Sequence, residues 1–416
     1  MKVLVVGSGA REHALAWKLA HEGAQVIVAP GNGGTSNAVG VRVEDLDGLA
    51  DLAQREKIDL TIVGPEAPLA AGIVDVFETR GLTAFGPNRA AARIEASKAW
   101  AKEFLSRHHI PTARAHVVAS ETSARDAIAR AGLPVVLKAD GLAGGKGVFV
   151  VMDNAQMEAA LDTLFRSASL GPAASQVLVE EYLEGPELSV LAFTDGERIA
   201  VMPAARDYKR LRDYDRGPNT GGMGGYTRPA YATEALMQEV QRRVLEPTVA
   251  GMAAEGVPFR GVLYAGLMLT ANGPKVLEFN CRFGDPEGQL VLPLLESSLT
   301  DVCMQCTGGE LRSESVRWSP ERTYAVVVAS DGYPTRPRTG DVIHGLDEIR
   351  EDVLVFHAGT ASRDGELVSA GGRVLTLVGC DRRAVYAAMD TVQLKAKQFR
   401  TDIGVEVGGR IAEAVR

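Results

Sequence analysis

Glu278 and Asn280 stand two residues apart in the stretch KVLEFNCRFGDPE, 275–287, among Val276, Leu277 and Phe279. Side chains two apart on a strand share a face. Two oxygen ligands on one face suit a magnesium ion that bridges two phosphates. Arg282 falls on the same face, where its planar fork suits an anion. Asp285 and Glu287 follow in a turn. The bland alternative is a surface strand with alternating polar residues, and the apolar flanks weigh against it.

A glycine cluster, LKADGLAGGKGV at 137–148, offers the complementary chemistry. Gly141, Gly144, Gly145 and Gly147 surround Lys146, but Gly147 follows the lysine where a Walker A loop needs Ser or Thr. The pattern instead reads as a flap between two strands, with backbone amides on nucleotide phosphates and Lys138 aimed at the same place. A snorkelling edge lysine is the competing reading of Lys138. In VLVEEYLEGPELS, 177–189, Glu180 and the backbone suit an adenine amino group, and Glu187 suits ribose hydroxyls. An exposed acidic turn would look the same.

The turn GSGAREH, 7–13, nearly matches the dinucleotide fingerprint, but Glu12 replaces the third glycine and the next strand runs into Pro30 without an acid. A nicotinamide cofactor is therefore disfavoured. Amides at a helix start still suit a phosphate monoester, with Arg11 beside them; a tight turn without a ligand is the alternative. GPNTGGMGGY, 217–226, is half glycine, which is costly to order. Cys303 and Cys306 form a C-x-x-C on an apparently helical segment with no second pair, so they read as core thiols. His108 and His109 sit at a helix end, where imidazolium suits the dipole.

These residues need a scaffold. Strand-like KVLVV at 2–6 precedes a helix at 12–22, a strand at 25–29, a helix at 49–56, a strand at 60–63, a helix at 68–80 and a short strand at 83–85. Such alternation predicts an α/β unit with a doubly wound parallel sheet, whose ligands bind at the carboxyl ends of strands. A helical stretch at 90–107 leads to a strand–helix–strand–flap–strand–helix–strand pattern over 117–191. LYAGLML and PKVLEFN form a hairpin around TANG. TYAVVVAS, VLVFHAG and GGRVLTLVG begin a last unit that ends in a helix at 383–398. No internal repeat stands out.

The 416 residues carry a net charge of −8, with 46% apolar and 24% charged residues. That fits a soluble chain of several domains and argues against a nucleic-acid partner. No apolar run is long enough for a membrane helix, and no signal peptide opens the chain. Four cysteines are too few for a disulfide scaffold and point to the cytoplasm.

Taken together, MKVLVVGSGAREHALAWKL, APGNGGT, DLTIVGPEAPL, FGPN, SKAWAKEFL, IPTAR, VLKADGLAGGKGV, EEYLEG, GPNTGGMGGY, LYAGLML, LEFNCRFGDPE and GYP…TGDVIHG resemble the phosphoribosylamine–glycine ligases, also called glycinamide ribonucleotide synthetases. The resemblance runs through nearly the whole chain in order. It implies an ATP-grasp fold: a preATP-grasp domain over 1–100, an ATP-grasp domain over 101–322 with a mobile lid at about 117–190, and a C-terminal domain over 323–416. It implies an enzyme that joins 5-phosphoribosylamine and glycine, using ATP and Mg²⁺ or Mn²⁺; a monomer is the expectation, though the sequence itself does not fix the oligomeric state. Glycine's carboxylate would attack the γ-phosphate to give glycyl phosphate, which the amine then captures.

The resemblance also distributes roles. Lys98, Lys138, Gly144, Gly145, Lys146, Gly147, Glu180, Glu181, Leu183 and Glu187 hold the nucleotide, and Glu278 and Asn280 the metal. Arg282 meets glycine's carboxylate, amides of 221–225, Gly224 among them, line the transfer site, and Asp207, Lys209 and Arg210 orient substrates. The sugar phosphate lies among Gly9, Arg11, Glu12, Gly64, Pro65, Glu66, Pro87 and Asn88, with Asn219 and Asp285 nearby. Gly144 stands where alanine is usual in the family, Tyr208 where histidine is common, and Pro186 where glutamate is frequent. Another ATP-grasp ligase, or a nucleotide-binding regulator without turnover, remains the alternative.

Overall fold

The computed structural model describes residues 1–167 and 169–405. Strands Lys2–Gly7, Gln25–Pro30, Leu60–Val63 and Ala84–Phe85 form a parallel sheet in the order second, first, third, fourth. Val3 to Val6 are wholly buried, as a strand covered on both faces requires. The order reverses between the first and third strands, and the turns at Gly9 and Gly64–Glu66 leave at that switch point.

Two expected helices are each broken in two. The 68–80 segment is Glu66–Ala71 and Ile73–Thr79, parted at Gly72, whose φ of 96° is left-handed. The 90–107 segment is Arg89–Ala96 and Lys98–Arg107. Between them Ser97 is extended and caps the second helix, its Oγ accepting from the Trp100 N–H at 3.1 Å. Asp140 fixes this break, accepting from Ser97 Oγ at 3.0 Å and from the Ala99 N–H at 2.7 Å.

A small antiparallel sheet follows, in the order Ala115–Val118, Val177–Glu181, Val135–Ala139, Val148–Val151. It has its own core with helices Glu121–Ala131 and Asn154–Leu161. The largest sheet runs Gly273–Asn280, Arg260–Thr270, Glu187–Asp195, Ala205–Asp207, Gly224–Thr227, Tyr324–Ala329, Arg373–Gly379, Leu354–His357, with Ile199–Val201 beside Glu187–Asp195. Its last three strands come from the expected C-terminal unit, of which 406–416 lies outside the described residues. The TANG hairpin is present, with Thr270 opposite Gly273.

A helical run from Glu234 to Ala254 covers one flank of this sheet and has no counterpart in the sequence reading. The last helix is Arg382–Thr391 and does not reach 398. The chain turns extended at Val392, because Gln393 and Gln398 bridge to His344 and Ala329. Lys397 Nζ donates to the freed Val392 carbonyl at 2.6 Å. One apolar core joins Val3 and Leu15 of the first unit to Phe193 and Leu290 of the large sheet. The N-terminal turns are thereby held over that sheet.

Candidate active site

Strand register assembles the site. Glu278 lies opposite Gly266, Gly266 opposite Ser189, Ser189 opposite Ala205, and Tyr264 opposite Asn280. Paired residues share a face, and alternation carries that face to Glu187 and Asp207. Glu278, Asn280, Tyr264, Ser189, Glu187 and Asp207 thus share one floor. Gly266 adds no side chain to that floor, where a Cβ would stand in ordinary contact with Glu278 Cγ at 3.5 Å.

Cations surround Glu278. Burial pushes its carboxyl up, but Lys209, Lys138, Lys98 and Arg282 together hold it below the usual range. Lys138 Nζ donates to the Leu277 carbonyl at 2.9 Å and pairs with Glu180 at 2.9 Å. Lys98 Nζ donates to the Gly141 carbonyl at 3.2 Å, and burial lowers its pKa. The ammonium at 138 and the carboxylate at 278 are therefore close enough to interact.

The Glu180 carboxylate, 2% exposed, lies between Lys138 and Lys102, the latter at 3.3 Å. Both its ion-pair partners are lysines, so this carboxylate positions ammonium groups. Glu181 accepts from the Arg114 N–H at 3.2 Å, and Leu183 is buried. Glu187 pairs with Lys209 at 3.1 Å. Lys102 was missed by the sequence reading, although it lies one turn from Lys98 on the same helix.

The flap roots where Ala139 N–H donates to the Gly147 carbonyl at 2.8 Å. Gly144 and Gly145 have φ of 55° and 78°, and Lys146 is exposed. A Cβ on Gly145 would stand 4.0 Å from the Thr220 carbonyl oxygen, so the flap tip reaches the 217–226 segment.

That segment does not offer the expected amides. Gly221 N–H donates to Tyr333 Oη at 3.0 Å, Gly222 N–H to Thr220 Oγ1 at 3.1 Å and Met223 N–H to the Tyr208 carbonyl at 2.8 Å. Its glycines serve close approach instead. A Cβ on Gly222 would meet Pro286 Cδ at 2.7 Å and Asp207 Oδ1 at 3.0 Å, and one on Gly224 would collide with the Ala325 carbonyl. Gly224 is thus a sheet-packing glycine.

Asp207 Oδ1 is buried with no hydrogen-bond partner among the described residues. Burial and the neighbouring Glu287 push its carboxyl well above the usual range. Glu287 accepts from Tyr264 Oη at 2.7 Å and from Ser189 Oγ at 2.9 Å. Lys209 and Arg373 offset that push only in part, and Oδ1 is left as an unmatched acceptor.

On the N-terminal side, Glu12 fills the helix start itself. It accepts from the Gly9 N–H at 2.6 Å and from Arg11 Nε at 2.6 Å, and lies in the space that side chains on Gly7 and Gly64 would take. The expected phosphate cradle there is corrected: a carboxylate already occupies the amide. Arg11, buried, donates to the Phe283 carbonyl at 3.0 Å. Asn88 accepts from the Ala91 N–H at 2.9 Å as a helix cap, with Pro87 before it; Pro65 precedes the helix that Glu66 opens. Asn219 lies opposite Arg210 in a separate two-stranded ribbon.

Arg282 has no free fork. Nε donates to Glu66 at 3.2 Å, Nη2 to Glu95 at 3.0 Å and Nη1 to the Phe283 carbonyl at 3.2 Å. Arg282 and Arg11 hold the Glu66 carboxyl below the usual range although burial pushes it up. Asp285 pairs with Arg373 at 2.9 Å, and its Oδ2 lies 3.7 Å from where a Gly9 Cβ would be. Arg373 belongs to the last unit, and nothing in its local sequence marked it.

No group of three or more His, Cys, Asp or Glu fit to hold a metal occurs among the described residues. Glu278 and Asn280 place two oxygen-bearing side chains on one face, a donor set that would fit a divalent cation held only in part by protein. No helix among the described residues is long and apolar enough to cross a membrane.

Comparison with known proteins identifies the family. Family models for phosphoribosylglycinamide synthetase match in sequence: the N domain at 1–95, the ATP-grasp (A) domain at 96–288 and the C domain at 323–406. A phosphoribosylamine–glycine ligase of Ralstonia nicotianae is 47% identical, covering 97% of this chain and 99% of that one. Its counterpart in Escherichia coli O157:H7 is 46% identical, covering 97% and 98%. The crystal structure of phosphoribosylamine–glycine ligase from Thermotoga maritima superposes with a TM-score of 0.83 at 34% identity, covering 97% and 100%. The biotin carboxylase domain of Hydrogenobacter thermophilus 2-oxoglutarate carboxylase, at 16% identity and a TM-score of 0.72, shares the fold alone. The chain has the ATP-grasp fold and belongs to the phosphoribosylglycinamide synthetase family.

Proposed function

We propose that this chain joins glycine to 5-phosphoribosylamine, giving glycinamide ribonucleotide, ADP and phosphate, and that Glu278 among its four cations is the observation that carries the chemistry. Phosphoryl transfer needs positioning and charge neutralisation more than covalent help. Lys98, Lys138 and the flap amides at Gly144–Gly147 neutralise the triphosphate, with Lys146 at the mouth. The base lies along 181–183, and Glu187 takes the ribose hydroxyls. Glu278 and Asn280 hold Mg²⁺ or Mn²⁺, which when bound neutralises charge between phosphates.

Glycine's ammonium docks on Asp207, whose buried Oδ1 has no partner among the described residues, and Lys209 keeps Glu187 in place. Its carboxylate reaches Arg282 in exchange for Glu66, the more exposed of the two acids that hold it. A carboxylate oxygen attacks the γ-phosphorus and ADP leaves. The amine of phosphoribosylamine then attacks the acyl carbon of glycyl phosphate and phosphate leaves. Glu12, Glu66, Asn88 and Asp285 face the sugar, their oxygens suited to hydroxyls. The four thiols are unpaired, which suits a reducing cytoplasm, and the enzyme works there as a monomer.

The test generates phosphoribosylamine in place from ribose 5-phosphate and ammonia and follows ADP. ADP release that requires glycine, and yields glycinamide ribonucleotide, supports the proposal. ATP binding without turnover, or turnover indifferent to glycine, refutes it.

A further inference from the structure

The C-terminal unit holds both the backbone N–H and the carbonyl of Gly221, at the edge of the site. The N–H donates to Tyr333 Oη at 3.0 Å, and the carbonyl accepts from Arg373 Nη1. Both polar groups of one loop residue are thus held from a single neighbouring unit. Arg373 also binds the opposite wall: Nη2 donates to Asp285 Oδ2 and Nη1 to the Asp285 carbonyl, each at 2.9 Å.

The clamp is built for its place. The register of Arg373–Gly379 on Tyr324–Ala329 shifts between Val328 and Ala329, directly at Arg373, and such an irregularity re-aims a side chain. The Arg373 carbonyl accepts from the Gly359 N–H at 2.9 Å, which fixes its backbone. A side chain on Gly372 would collide with the Tyr333 ring, and one on Gly221 would lie 3.0 Å from Arg373 Cζ. Glycine at 221 and 372 therefore admits the two clamping groups.

We infer that Arg373 and Tyr333 are positioning residues that couple ATP cleavage to ligation. They pin the 221–225 wall between Asp285 and Asp207, opposite the flap tip at Gly145, and so keep water from the acyl phosphate. The inference rests on the acyl-phosphate reading above. With the wall released, a water oxygen attacks the acyl carbon, the acyl C–O bond breaks, phosphate leaves and glycine is regenerated. The net result is ATP hydrolysis.

The experiment measures glycinamide ribonucleotide formed per ADP released in wild type, Arg373→Gln and Tyr333→Phe, with the KM for ATP alongside. Tyr333→Phe keeps the ring against Gly372 and decides the matter should Arg373→Gln fail to fold. We expect one product per ADP in wild type, a ratio at least about twofold lower in the variants, and an unchanged KM for ATP. A ratio of one in every folded variant, even with lower melting temperature or total rate, overturns the inference, because a merely structural role slows both products together. A wild type that makes no glycinamide ribonucleotide refutes the underlying function instead.

Discussion

At the scale of single residues, charge balance separates two roles for buried carboxylates. Glu278 feels four cations, three of them also paired with other acids, so Glu278→Gln makes the site one charge more positive than before. A triphosphate is attracted to that site, while the metal loses a ligand. The expected outcome is ATP affinity within about threefold of wild type and a kcat lower by about 10²–10³-fold. Calorimetry with a non-hydrolysable ATP analogue, beside initial rates over a magnesium series, checks it; a parallel loss of affinity would show that Glu278 serves the fold instead. Glu180 is the opposite case: its carboxylate supports Lys138 and Lys102, so Glu180→Gln leaves two buried ammonium groups unmatched. A cost of about 3 kcal/mol is expected in denaturant unfolding, as when one partner of a buried pair is removed. Glu121 binds Arg125 and Arg166 in solvent, and there the same change is expected to leave the unfolding midpoint nearly unmoved, because water screens an exposed pair.

Between elements, the joint of the first helix and the C-terminal unit depends on two histidines. His13 Nδ1 accepts from the His357 N–H at 2.8 Å, with the rings 5.3 Å apart and against Gly34. Burial pushes both imidazoles down to about 4, His357 adding repulsion at His13. The unfolded chain takes up protons near pH 6.5 and the folded one only near 4. Stability from the neutral pair is therefore full above 6.5 and is lost as pH falls towards 4, by at most about 3 kcal/mol per histidine. Melting temperatures from pH 7 to 4 should fall, and less steeply in His13→Asn, which keeps an acceptor in place; identical slopes would exclude the pair as the cause. This joint was not legible in the sequence, because it brings together residues 344 apart. Local signals told more. The buried parallel strands and the TANG hairpin stood out, whereas Gly72 and Ser97 broke two helices that periodicity alone ran together.

Across the whole molecule, the sequence marked the site's floor and flap because each is a short contiguous pattern on a strand or turn. It missed Arg373, Tyr333 and Glu95, which reach the site only through tertiary contact, and it misjudged the amides of 221–223, which Tyr333, Thr220 and Tyr208 already engage. The flap joins two strands of the small sheet and reaches Thr220, and its own geometry fixes what it tolerates. Gly145 has a φ of 78°, which proline, locked near −65°, cannot adopt. Gly144 is equally left-handed but has nothing within 4 Å of a Cβ, so alanine there faces only backbone strain of about 1 kcal/mol. Gly144→Ala should therefore retain turnover within about threefold, while Gly145→Pro should lose it by about 10²-fold, since a misplaced lid leaves the reacting groups unaligned. Hydrogen exchange over 141–147 provides the direct readout: a non-hydrolysable ATP analogue should slow it by at least about tenfold in wild type and Gly144→Ala, and far less in Gly145→Pro. Equal protection in all three would mean that the glycines are dispensable to closure, and that the contact of Gly145 with Thr220 is a resting position rather than the seal of the site.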